Sequence, residues 1–213
     1  MKFKYIIWDW NGTLVDDVEL SVQIFNSMCA KYGIEQISVE TYKRNFKFPV
    51  SKFYEERGYD FTKIDFETVG RYYVTNYDRL SRSCSLHGGA EDAMRSLKAV
   101  GCSQSILSAY EQNYLFKAVD NFGIRKYLDN IFGLDDIVAT SKISRGKALM
   151  EKLGADPSEA VMVGDTDHDK AVADALGISC ALVALGHNHA DNLARLGAPV
   201  FASHAELLKF LKY

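Results

Sequence analysis

The chain has little cysteine and no arrangement of it that would build a site. Cys29, Cys84, Cys102 and Cys180 lie far apart and form no CxxC pair. That argues against a disulfide framework or a zinc ribbon and fits a reducing cytosol. A long apolar run is also missing. The stretch Tyr5-Ile6-Ile7-Trp8 stops at Asp9, too early for a signal peptide. The later run over 178–185 is far short of the roughly 20 residues that span a bilayer. We therefore expect no membrane partner and a cytoplasmic location. Excess charge of one sign is absent too: 25 Lys+Arg face 28 Asp+Glu, a net charge of −3. This disfavours a basic nucleic-acid surface, so no nucleic-acid partner is expected. Repeats and low-complexity tracts are lacking, and oligomeric state is not legible.

What is present is ordinary globular material: 213 residues, 47% hydrophobic and 12% aromatic. This suits one domain, or one domain with a sizeable insertion. Short apolar runs at 5–8, 105–107, 160–163, 178–185 and 200–201 read as strands. Amphipathic stretches at 90–100, 111–122, 146–153, 170–176, 189–196 and 205–211 read as helices, several stopping at glycine. The alternation predicts an α/β fold with a doubly wound, mostly parallel sheet. Residues 17–82 break the rhythm: helices are expected near 17–32, 38–44, 50–57 and 66–80, with no strand between them. The expected division is a core of 1–16 and 83–213 with a helical insertion at 17–82, hinged at 14–17 and 81–89.

Ligands in such sheets bind beyond the carboxyl ends of the strands. The polar residues after each apolar run should therefore converge: Asp9 and Asn11, then Ser108, then Asp165, Asp167 and Asp169. A loop at Thr140-Ser141-Lys142-Ile143-Ser144 precedes another helix. Carboxylates from separate strands repel unless a cation joins them, and Mg²⁺ suits oxygen ligands. Gly12 and Thr13 supply a tight turn whose N–H groups can cradle an anion. A cation site beside an anion cradle suggests phosphate chemistry.

Asp9-Trp10-Asn11-Gly12-Thr13-Leu14-Val15-Asp16 resembles the first motif of the haloacid dehalogenase-like hydrolase superfamily. Ser108, Lys142 and Gly164-Asp165-Thr166-Asp167-His168-Asp169 resemble its second, third and fourth motifs, in the family's order. The insertion resembles the α-helical cap of phosphoglycolate phosphatase-like members. The resemblance implies a Rossmann-like core and a Mg²⁺-dependent phosphatase acting on a small phosphorylated metabolite. It implies Asp9 as nucleophile, Ser108 as a hydrogen-bond donor to the phosphoryl group, and Lys142 as the charge-balancing cation. It implies Mg²⁺ on Asp9, the Asn11 carbonyl and Asp165, with Asp169 a ligand through water or an orienting group. Gly12, Thr13 and Ala109 are expected to touch the substrate.

Asn11 departs from the pattern. Phosphatases of this family usually have Asp there, which protonates the leaving group and later activates water. General acid–base help is worth about 10²–10⁴-fold. Asn11 therefore implies a slow phosphatase, leaving groups that need no proton (acyl or aryl phosphates), or another proton source such as His168, His187 or His189. Phosphonate or carbon–halogen cleavage, phosphoryl transfer, and a weakly active phosphate-binding or regulatory protein stay open. The third motif lacks its usual prolines, and Lys142, read as a loop residue, is preferred to Lys147 inside the helix.

Three further segments carry an expectation. Asp165–Asp169 is not an EF-hand, because Lys170 and Leu176 stand where Gly and Glu belong. His187-Asn188-His189 reads as a surface loop rather than a zinc site. The stretch 43–49 mixes cations with aromatics, so Arg44 and Lys47 are candidates for contacting the substrate.

Overall fold

The computed structural model describes residues 2–135 and 142–212. The expected motif residues Thr140 and Ser141 lie outside them. The main sheet is six-stranded and parallel, in the order β5-β4-β1-β6-β7-β8. Its strands are β1 (Tyr5–Trp8), β4 (Ser103–Glu111), β5 (Asn130–Leu134), β6 (Ala160–Gly164), β7 (Ser179–Val183) and β8 (Val200–Phe201). The short strands β2 (Val15–Asp16) and β3 (Ser85–Leu86) pair antiparallel beside it.

The period-2 alternation of strand side chains divides the apolar residues between the two faces. Ile6, Trp8, Ile106, Val161 and Val163 belong to one core cluster. It includes Met94 and Leu97 of α5 (Ala90–Ala99), Leu115 and Val119 of α6 (Gln112–Asn121), and Leu207 and Leu211 of α10 (His204–Lys212). Ile7, Leu107 and Met162 join the other cluster, with Leu149 of α7 (Lys142–Leu153) and Val172 of α8 (Asp167–Leu176). A fully buried side chain of this size is worth about 1.5–3 kcal/mol, so both helical layers are firmly anchored. Between β2 and β3 come α1 (Val18–Tyr32), α2 (Val39–Asn45), α3 (Val50–Glu56) and α4 (Phe66–Leu80). These helices share a core of their own around Phe25, Met28, Tyr42, Phe53 and Tyr54.

Several expectations need correction. The sheet has an edge strand, β5, that was not expected. Its sequence Asn-Ile-Phe-Gly-Leu is short and interrupted by Gly133, which leaves little pattern to read. The expected hinges at 14–17 and 81–89 include the β2–β3 pair. Strand β4 runs on to Glu111, with a register shift between Leu107 and Glu111, so Ser108 and Ala109 lie within it. Helix α7 begins at Lys142, so this lysine stands in the first turn of a helix rather than in a loop. Helix α9 covers only Ala190–Leu193.

Candidate active site

The carboxyl ends of β4, β1 and β6 are adjacent, and the predicted polar residues gather there. Asp9 follows β1 directly, its N–H donating to Val163 O at 2.8 Å. The chain then turns tightly, with Leu14 N–H and Val15 N–H both returning to Trp10 O. Gly12 sits at φ +71°, and a Cβ there would come within 2.4 Å of Asp165 Oδ2, so both conformation and space demand glycine. Asp165 follows β6. Its Oδ1 accepts from Thr13 Oγ1 at 2.7 Å and its Oδ2 from His187 N–H at 2.6 Å.

Asp169 lies in the first turn of α8, which Thr166 caps through a reciprocal capping box. Asp169 Oδ2 accepts from the N–H groups of Asp165 and Thr166 and from Thr166 Oγ1. Its Oδ1 accepts from Lys142 Nζ at 2.6 Å, and the same ammonium donates to Asp9 Oδ1 at 2.5 Å. All of these groups are buried. Burial opposes the charge on Lys142, but Asp169 and Asp9 outweigh it and hold the ammonium proton more tightly than usual. Burial raises Asp9 and Asp165 above the ordinary carboxylate range, with Asp169 pushing both the same way. Lys147, the alternative for the motif lysine, is exposed.

These acids fit a hard divalent cation. Carboxylate oxygens of Asp9, Asp165 and Asp169 lie within 4.8 Å of one another, all buried. They are hard oxygen donors whose mutual repulsion a cation would relieve. Asp169 has one oxygen on the Lys142 ammonium and the other on the N–H groups leading into α8, which suits it to orienting Lys142.

Ser108 is buried, two residues beyond Ile106, the β4 partner of Trp8, and its Oγ accepts from Tyr110 N–H at 3.0 Å. Gly12 N–H is not open to an anion, because it donates to Asp17 Oδ1 at 2.8 Å. Asp17 and Tyr77 were not anticipated. Asp17 is fully buried and accepts from Asn11 Nδ2 at 2.7 Å and Tyr77 OH at 2.6 Å. His187 is buried rather than on a surface loop. Its Nε2 lies 3.3 Å from Asp17 Oδ1, and Tyr42 OH is 3.0 Å from its Nδ1. Burial works against charge on both groups, yet each holds the other ionised: Asp17 falls below the usual carboxylate range and His187 rises to about 9.

Arg44 and Lys47 do not reach this centre. Arg44 is exposed and paired with Glu40 and Asp191, and Lys47 pairs with Glu56. Ala109 does line the cavity that opens beside Asp9, together with aromatic residues of α2 to α4 and of the segments joining them.

A profile of haloacid dehalogenase-like hydrolases matches residues 6–183. The chain belongs to that family. Among this hydrolase's relatives, a phosphoglycolate phosphatase of Chromobacterium violaceum is 27% identical over 98% of this chain and 96% of its own length. The pyrophosphatase PpaX of Bacillus velezensis is 26% identical over 84% of this chain and 82% of its own. In fold, the hydrolase resembles CbbY of Rhodobacter sphaeroides, solved in complex with phosphate. The TM-score is 0.75 at 21% identity, over 99% of this chain and 100% of that one. A haloacid dehalogenase-like family hydrolase of Streptococcus pneumoniae superposes with a TM-score of 0.84 at 17% identity, over 98% of each chain. No helix among the described residues is long and apolar enough to cross a membrane.

Proposed function

We propose that this hydrolase is a phosphatase of small phosphate monoesters that works through an aspartyl-phosphate on Asp9. The observation that carries the reading is the buried Lys142 ammonium, hydrogen-bonded to both Asp9 and Asp169. It holds Asp9 in one orientation and balances charge where a phosphoryl group would arrive. An Asp9 oxygen attacks phosphorus, and the ester P–O bond breaks with its electron pair going to the leaving oxygen. Water then attacks the phosphorus of the aspartyl-phosphate, freeing Asp9. The net change is ester plus water to alcohol or phenol plus hydrogen phosphate.

Asp9, Asp165 and the Asn11 carbonyl would hold Mg²⁺, which would supply positive charge to the phosphoryl oxygens. Asp169 orients Lys142. Ser108 and Ala109 contribute hydrogen-bond and van der Waals contact on the β4 side, and the Gly12–Thr13 turn sets the spacing to Asp165. Residues 17–82 act as a cap over a core of 1–16 and 83–213, excluding bulk water during transfer. The names of the relatives support phosphatase chemistry.

The test is phosphate release from phenyl phosphate and acetyl phosphate, with and without Mg²⁺, beside an Asp9→Asn control. Mg²⁺-dependent release absent from D9N is expected. Equal release by D9N would overturn the mechanism.

A further inference from the structure

Beside Asp9 the structure holds a cavity of about 280 Å³, lined largely by apolar and aromatic side chains. Phe46, Phe48, Phe53, Phe66, Val69 and Val74 set its character. The cationic groups on its lining are already committed. Lys142 serves Asp9 and Asp169. His187 faces Asp17 and Tyr42. His168 stacks on Phe48 with ring centroids 4.3 Å apart. Arg44 and Lys47 do not line the cavity, whereas Glu111 does. The hydroxyls of Tyr73 and Tyr77 are also occupied, by Ser21 and by Asp17 with Asn11.

Taking the phosphatase reading as its basis, we infer that the leaving group is an uncharged aryl group, making the substrate the phosphate ester of a phenol. The aromatic lining would stack on such a ring. A second anionic group, such as the carboxylate of glycolate or the phosphate released from pyrophosphate, would enter an apolar space with no uncommitted counter-charge among the described residues, at a large desolvation penalty. This chain therefore differs in specificity from relatives named for phosphoglycolate and pyrophosphate. Asn11 points the same way. Its amide offers no proton, and a phenolate leaves without one. The P–O bond breaks with its pair to the phenolate oxygen, which takes a proton from solvent after release.

The decisive comparison keeps the leaving chemistry close and changes the charge: 4-methylphenyl phosphate against 4-carboxyphenyl phosphate, with the full chain and Mg²⁺. The carboxylated ester carries the better leaving group, so an indifferent cavity would hydrolyse it faster. We expect kcat/KM to favour the methyl ester by at least about tenfold. A smaller ratio, or a preference for the carboxylated ester, overturns the inference while leaving phosphatase activity standing. Absence of Asp9-dependent release from either ester and from acetyl phosphate would sink both readings. Val74→Lys places a cation in the cavity wall and is expected to cut the preference severalfold. An unchanged ratio in folded V74K would show that the leaving group sits elsewhere, and the wild-type ratio decides alone if V74K does not fold.

Discussion

The Asn11 side-chain amide donates to Asp17 Oδ2 at 2.7 Å and sits 2.6 Å from Tyr77 OH. The residue in the usual acid–base position is thus tied to a buried carboxylate and to a tyrosine of α4. Asn11→Asp would place a second carboxylate against Asp17. Like charges that close cannot both ionise without cost, so one is expected to stay protonated near neutrality. N11D should lose about 1–3 kcal/mol of stability, read by denaturant titration. The retained proton would be available to a leaving alcohol, so turnover of butyl phosphate should rise relative to phenyl phosphate. An equal change for both esters would remove the leaving-group argument.

Lys142→Met takes away the one ammonium shared by Asp9 and Asp169 and leaves three buried carboxylates facing each other. Breaking a buried ion pair costs about 3–5 kcal/mol. Loss of the cation should also lower kcat by about 10²–10³-fold. Mg²⁺ would relieve the remaining repulsion, so it should raise the melting temperature of K142M more than that of the wild type. A smaller Mg²⁺ effect on K142M would count against the acidic cluster as the cation site.

These two sites differ in how far they could be read in advance. Asp9, Asp165 and Asp169 stood out because each follows an apolar run that had to be a strand, and strand ends fix where side chains meet. Asp17 did not, because Asp16 and Asp17 are adjacent acids and only tertiary packing decides which is buried: Asp16 is exposed, Asp17 is not. His187 looked like loop polarity after a strand, yet its backbone N–H and its ring are both held by acids from other elements. Arg44 and Lys47 sit among aromatics in sequence, but Tyr42 and Phe46 pack into the helical core while the two cations pair with surface acids. The cavity's aromatic character was visible as composition. That its cations, among the described residues, are all paired was not, because that depends on which acids reach which bases.

His204, at the start of α10, is fully buried against His87 and Trp8. Burial first, then the neighbouring His87, push it down to about 4 from an ordinary 6.5. The unfolded chain would bind a proton here that the folded chain refuses. Stability is therefore full above about pH 6.5 and is lost as pH falls towards 4, by of order 3 kcal/mol from this group. Denaturant titrations across that range should show the slope, and His204→Phe should flatten it. A slope unchanged in H204F would assign the acid sensitivity to other groups.

Asn188 joins the helical segment to the core from within. It is buried; its Nδ2 donates to Phe46 O at 2.9 Å, and its Oδ1 accepts from Asp167 N–H at the start of α8. Asn192 Nδ2 to Arg44 O and His189 N–H to Lys43 O run alongside, both at 2.9 Å. Asn188→Ala removes a side chain that bonds both sides, leaving a part-buried carbonyl and a part-buried N–H unpaired, at about 1–3 kcal/mol. If this contact holds the helices over Asp9, N188A should speed amide hydrogen exchange in the 43–48 stretch and raise KM more than it lowers kcat. Helix α1 supplies neither partner of these hydrogen bonds and packs on α3 through Phe25 against Phe53 and Tyr54, so exchange within α1 should stay unchanged. Faster exchange in α1 as well would mean that Asn188 supports the fold of the segment rather than its seat on the core.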